Sequence, residues 1–268
     1  MKTENLYLLK LGGSLLTEKR KPKSIRYDIL SRVTQEIVEA DEKLILIHGG
    51  GSFGHPIAKK YKISGGIEKS IVNQTLGLTE THYAMNELNS IILKSFLKKS
   101  YPCLPIQTSS SFIQDNQQIT SHAIKIIETA LDLDILPILY GDILLDVSGT
   151  FSILSGDHII YLLCRDLQRY KVSKVIFAMD IDGIYIQEEN EENGYKLANI
   201  IHKTELPNLE LANLENKIDV TGGIKGKIKA IEKVLELKIP IQLINGLIEG
   251  YIYSALKNAT INCTTILS

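Results

Sequence analysis

The sequence predicts an α/β protein, a three-layer αβα sandwich built on an open, mostly parallel central sheet. Short apolar and β-branched runs alternate with helical stretches along the chain, the order required when helices cover both faces of a sheet. Glycine-rich turns stand directly after some of these runs, at the sheet edge where α/β proteins bind ligands. No solenoid repeat or low-complexity linker interrupts the pattern, so any division into lobes is expected to be a packed junction within one sheet.

Taken in order, Leu6–Leu11 reads as a strand and Tyr27–Asp41 as an amphipathic helix. Leu44–His48 is the second strand, followed by a glycine loop and helical patterns to about Leu97. Apolar runs at Leu104–Gln107, Ile135–Tyr140, Val175–Met179 and Ile239–Ile244 are each separated by a helical pattern. Between Asp142 and Phe151, the turn residues around Val147-Ser148-Gly149-Thr150 predict a short hairpin at the working edge of the sheet. The polar run Gln187–Lys196 reads as a surface loop. Residues 1–172 and 173–268 are expected to form two lobes that meet near Tyr170–Ser173.

Composition excludes several classes. With 268 residues, the chain can bury a core without a disulfide or metal staple. Thirty Lys and Arg against 31 Asp and Glu leave a net charge of −1, without the basic excess that nucleic-acid backbones require. No apolar run approaches a membrane span, and residues 1–5 lack the features of a signal peptide, so a soluble protein of the cytoplasm is expected. Three dispersed cysteines, Cys103, Cys164 and Cys263, fit neither a disulfide framework nor a metal site and read as small buried hydrophobes. The six histidines show no short-spaced ligand pair, so a metal is expected only with a nucleotide.

Five segments carry chemistry. Lys10-Leu11-Gly12-Gly13-Ser14 ends the first strand. Two glycines let backbone N–H groups approach phosphate oxygens, and the lysine supplies a cation; a plain turn with a solvated lysine is the alternative. His48-Gly49-Gly50-Gly51-Ser52-Phe53-Gly54-His55 forms an anion cradle before a helix, with His55 placed to donate to a phosphate. Residues 49–54 also satisfy G-x-G-x-x-G, but they follow the second strand, and the window Ile63–Thr75 lacks the strand-ending acid of a dinucleotide fold. Ser155-Gly156-Asp157-His158 puts a carboxylate at a strand-to-helix junction, where it orients lysines, assists with Mg²⁺-phosphate, or merely caps the helix. Asp180-Ile181-Asp182-Gly183-Ile184-Tyr185 is a turn after a strand, either a ligand site or a hairpin turn. Asp219-Val220-Thr221-Gly222-Gly223-Ile224-Lys225-Gly226-Lys227 opens a helix reaching Leu237 with lysines in its first turns, which suit a phosphate; a solvated basic turn is the alternative. Neither a Walker A loop nor the protein-kinase motifs are present.

In this order, the motifs resemble the amino-acid-kinase superfamily over nearly the whole chain. Within it, His48–His55 followed by Pro56, Ala58, Lys59, Lys60 and Tyr61, together with Lys19–Arg26, resembles the isopentenyl phosphate kinase family. The resemblance implies a homodimer that uses Mg²⁺-ATP, with isopentenyl phosphate in the N-terminal lobe and the nucleotide in the C-terminal one. It implies that Lys10, Lys19 and Lys227 neutralise the transferring phosphoryl, that Asp157 orients the lysines, and that Gly50, Gly51, His55 and Gly156 hold the acceptor phosphate. Lys10, Gly12, Gly13, Ser14, Gly51, Asp180, Asp182, Gly183, Gly222, Gly223 and Lys227 would line the ATP site. Lys227, four residues after Gly223, takes the family position in preference to Lys225. One departure is His158, where the family often has a second acid. A related kinase acting on fosfomycin and a non-catalytic nucleotide-sensing module are the competing readings. The helix Thr75–Leu93, through Tyr83, Met85 and Ile92, is the expected wall for a prenyl tail, though such stripes are commonly core.

Overall fold

The computed structural model describes residues 5–187, 194–208 and 220–268. The chain begins with β1 (Leu6–Leu11), α1 (Gly13–Leu16), α2 (Tyr27–Ala40), β2 (Leu44–His48), α3 (Gly51–Lys60) and α4 (Gln74–Leu97). It continues through β3 (Cys103–Pro105), α5 (Thr108–Ser111), β4 (Phe112–Asp115), β5 (Gln118–His122), α6 (Ile124–Asp132), β6 (Leu136–Tyr140), β7 (Asp142–Asp146) and β8 (Thr150–Leu154). The second half holds α7 (Gly156–Asp166), β9 (Val172–Met179), β10 (Tyr185–Gln187), β11 (Tyr195–Leu197), β12 (Ile200–His202), α8 (Val220–Glu236), β13 (Ile241–Asn245), α9 (Tyr251–Leu256) and β14 (Thr264–Leu267).

The central sheet has the order β12-β14-β13-β9-β1-β2-β6-β3, and every pairing is parallel except β13 with β14. Every residue of β1, β2 and β6 is buried, as strands covered on both faces must be. Side-chain alternation then decides the layers. Leu6 and Leu8 pack with α6, α7 and α8; Tyr7, Leu9 and Leu11 pack with α2, α4 and α9. Lys10 shares the parity of Leu6 and Leu8, so it points toward α7. β1 pairs with β2 on one side and β9 on the other, so the strands before and after the expected junction lie in one sheet.

A second sheet, β5-β4-β7-β8, stands apart from the first. Its β7–β8 hairpin is the one expected around Val147–Thr150, with Gly149 at φ 92° in the turn. The β4–β5 hairpin is an addition to the sequence reading. Buried Asp146 holds the two hairpins together by accepting from Gln114, Asn116, Gln117 and Ser148. The expected Leu104–Gln107 strand is displaced to Cys103–Pro105, since Gln107 caps α5. The ends of the expected loop Gln187–Lys196 belong to the β10–β11 hairpin, and 188–193 lie outside the described residues. Of the cysteines, only Cys263 is fully buried.

Candidate active site

The strands β1, β2, β6 and β9 end along one edge of the sheet, bringing the predicted segments together. Gly12 N–H donates to the Ala178 carbonyl at 2.9 Å, pinning the first glycine turn to β9. A Cβ on Gly13 would lie 2.4 Å from the backbone nitrogen of Gly51, so the two glycine loops touch where no side chain fits. Gly51 adopts φ 47°, a left-handed conformation that glycine takes without strain. Thr17 bridges the loops: its Oγ1 donates to the Gly13 carbonyl (2.7 Å) and accepts from Ser52 N–H (2.9 Å). Sequence reasoning missed this threonine because nothing local marks it.

Lys10 is 6% exposed, so the solvated-lysine alternative fails. Its Nζ lies 2.5 Å from Asp157 Oδ1. Burial pushes the Lys10 pKa down, Asp157 opposes the shift, and nearby Lys227 adds to it. The helix-cap alternative for Asp157 also fails, because Ser155 caps α7 by accepting from His158 N–H at 3.2 Å. Asp157 is thereby left to hold Lys10. Gly156 packs so closely that a Cβ would meet Ile47 at 3.1 Å and Lys10 Cε at 3.3 Å.

His55 stands on α3 with an exposed edge, its pKa lowered by its packed surroundings and by Lys10 and Lys227. Lys227, on α8, thus acts electrostatically on both Lys10 and His55. Gly222 and Gly223 fall at the start of α8, and Asp219 lies outside the described residues. At the end of β9, Asp180 accepts from Ser14 Oγ at 2.7 Å and faces Lys19 at 3.9 Å. Asp182 is taken by Tyr185 OH (2.7 Å) and Asn245 Nδ2 (2.9 Å), so it stiffens the turn. Gly183 presses on Thr264, whose Oγ1 would sit 2.3 Å from an added Cβ.

Behind the second loop stands a polar wall of which the sequence reading named only His48. Fully buried His48 shares a hydrogen bond with Asn89 and stacks on Tyr140 at 5.2 Å. Burial pushes its pKa down to about 4. On α4, His82 bonds buried Asp142 at 2.9 Å, which raises its pKa, while its other nitrogen faces Asn86 and Gln107. Tyr140 OH donates to Asn86. The only sequence signal was helical spacing on α4, which Leu78, His82, Met85 and Asn89 follow.

The three residues expected to wall a prenyl tail are placed differently from one another. Tyr83 is 62% exposed and Ile92 is core; only Met85 faces the glycine loop, beside Gly50 and Gly54. Instead, Ile63, Leu78, Ile143 and Phe151 form a separate apolar cluster with Ala58 and Tyr61. Ala58 lies one helical turn beyond His55 on α3, so the cluster adjoins the second glycine loop.

The amino acid kinase family model matches residues 5–245, which span every segment of this site. The chain belongs to the amino acid kinase family. A curated family relative, the isopentenyl phosphate kinase of Methanocaldococcus jannaschii, is 37% identical over 84% of this chain and 86% of its own. That of Methanothermobacter thermautotrophicus is 34% identical over 84% and 85%. An X-ray structure of isopentenyl phosphate kinase superposes with TM-score 0.82 at 29% identity, covering 98% of this chain and all of that one.

Proposed function

We infer that this chain transfers the γ-phosphoryl of ATP to isopentenyl phosphate, giving ADP and isopentenyl diphosphate. The observation that carries the reading is the contact of the two glycine loops, with Lys10 packed against Gly156 and the His55 ring against Gly50, while the charge of Lys227 acts on both Lys10 and His55. Lys10 and Lys227 depress proton binding on the groups around them, so a polyanion placed between them relieves repulsion already present. The family relatives named above support the choice of acceptor.

In this reading an oxygen of the acceptor phosphate attacks the γ-phosphorus in line while ADP leaves, and no proton must be abstracted, because the acceptor phosphate is already largely ionised near pH 7. Gly50, Gly51, Gly156 and His55 hold the acceptor phosphate. Burial and the charges of Lys10 and Lys227 hold His55 toward its neutral form, and the negative charge of a bound phosphate favours its protonation. Lys10, oriented by Asp157, and Lys227 take up charge developing on the transferred group, with Lys19 assisting. Gly12, Gly13, Ser14, Asp180, Asp182, Gly183, Gly222 and Gly223 line the nucleotide site. The apolar cluster beside Ala58 takes the prenyl tail, which favours this acceptor over fosfomycin.

Among the described residues no group of three or more potential ligands could hold a metal, and Asp157, Asp180 and Asp182 each already have protein partners. In this reading Mg²⁺ is carried to the site with ATP and would supply charge neutralisation there. Residues 1–172 form the acceptor lobe, which also reaches the phosphate end of the nucleotide, and 173–268 form the nucleotide lobe. Strand β3 ends the sheet with Leu104 exposed, an open edge that suits a homodimer. No helix among the described residues is long and apolar enough to cross a membrane, in keeping with a cytoplasmic enzyme.

ADP release with Mg²⁺-ATP tests the reading, measured separately with isopentenyl phosphate, dimethylallyl phosphate, fosfomycin, N-acetylglutamate and no acceptor. Turnover is expected with the prenyl phosphates. Turnover only with fosfomycin or the amino acid derivative refutes the acceptor, and silence throughout favours a nucleotide sensor.

A further inference from the structure

Residues 18–26 make a hairpin between α1 and α2, closed by a bridge from Thr17 to Ile25. Lys23, on one side of the hairpin, is paired with Glu87 of α4 and lies 5.3 Å from the ring centre of Tyr83, which ties the hairpin to the acceptor lobe. Elsewhere the hairpin borders a cavity of about 590 Å³ lined by Glu18, Lys19, Arg20, Arg26, Asp28, Ile29 and Asp180.

The charges around this cavity are unevenly committed. Glu18 is held by Lys21 at 3.1 Å, and Asp180 by Ser14 and Lys19. Among the described residues neither Arg20 nor Arg26 has an ion-pair partner, although Arg26 is half-buried. Asp28 alone is left against two guanidinium groups. Because Asp180 receives the Ser14 hydroxyl, the cavity opens directly beside the Gly12-Gly13 turn.

We propose that Arg26, assisted by Arg20, binds the terminal phosphates of the nucleoside triphosphate in this cavity. The inference rests on the kinase reading above and adds a contact to it. A guanidinium offers a planar fork matched to two phosphate oxygens, and a half-buried one without a carboxylate partner gains most from such a ligand. Lys19 then lies between this arm and the glycine turn, which suits a phosphate chain running from the cavity toward Lys10.

The test is calorimetric titration of the full chain, in Mg²⁺, with a non-hydrolysable ATP analogue and no acceptor, together with KM for both substrates. Arg26→Gln is expected to weaken the analogue about tenfold, the worth of one charge-assisted hydrogen bond. Arg26→Lys, which keeps the charge and loses the fork, falls between, and Arg20→Gln costs about threefold. The acceptor KM stays within about twofold in all three variants. An Arg26→Gln protein that melts like wild type and binds the analogue equally well overturns the proposal and leaves the kinase reading standing. Should that variant melt early, unchanged affinity in both Arg26→Lys and Arg20→Gln overturns it. A rise confined to the acceptor KM also overturns it, and a wild type that binds no analogue overturns both readings.

Discussion

Two lysine–aspartate pairs stand at the same sheet edge and behave differently. Lys10–Asp157 is short and enclosed, at 2.5 Å with 7% and 17% of the side chains exposed. Lys19–Asp180 is loose and open, at 3.9 Å with 47% and 23% exposed. The inner pair sits where β1 parity and the capped start of α7 fix both partners before any ligand arrives, so its geometry is preorganised. The outer pair rides on a hairpin and can re-form around a ligand at little cost. The floor of the site is therefore built for alignment and its rim for adjustment.

The strongest way to break this contrast is Lys10→Met. Loss of a preorganised cation lowers kcat by about a thousandfold, and leaving Asp157 without its partner costs about 3 kcal/mol of stability. Urea denaturation and steady-state kinetics read the two effects separately. The double variant Lys10→Met/Asp157→Asn recovers most of the stability and none of the rate, which a purely structural pair would not do.

Next in size is Gly13→Ala. The added methyl meets the backbone of Gly51, which cannot rotate away as a side chain would, so a loss of about 3 kcal/mol in chemical denaturation is expected. Gly65→Ala, where a Cβ meets nothing within 4 Å, is the control and stays within about 0.5 kcal/mol.

The floor also carries a pH signature. His48 titrates near 4 when folded and near 6.5 when unfolded, so the unfolded chain binds the extra proton. Stability from this group is present above about 6.5 and is lost as pH falls toward 4, about 2 kcal/mol of it between pH 7 and 5. Thermal melts across that range should show a loss that shrinks in His48→Gln. His82 works in the opposite sense: its raised pKa gives stability at low pH that disappears as pH rises through the folded value. The smallest effect belongs to the rim. Lys19→Gln should lower kcat about tenfold while shifting stability by less than about 0.5 kcal/mol.

Much of the floor was legible in the sequence because it is local. Paired glycines after an apolar run, and Ser-Gly-Asp before a helix, announce themselves within a few residues. Lys10 and Asp157 could be named as candidates, but their pairing depends on strand parity and sheet order, and 147 residues separate them. What stayed hidden was long-range. Thr17 is an ordinary threonine until Gly13 and Ser52 are brought around it, and His82 looked like any helical polar residue until β7 placed Asp142 against it. The β4–β5 hairpin escaped because Asp146 on a later strand organises its turn. The apolar cluster at Ile63, Leu78, Ile143 and Phe151 draws on four separate segments, so no single helical stripe announces it.

The central claim is that this edge moves a phosphoryl group onto a prenyl phosphate. Phosphorus NMR of wild-type protein with Mg²⁺-ATP and isopentenyl phosphate tests it most directly. The account predicts that the monophosphate resonance is replaced by the two coupled signals of a diphosphate ester as ADP accumulates in equal amount. ADP appearing with inorganic phosphate while the monophosphate signal persists, or an unchanged spectrum, would contradict it.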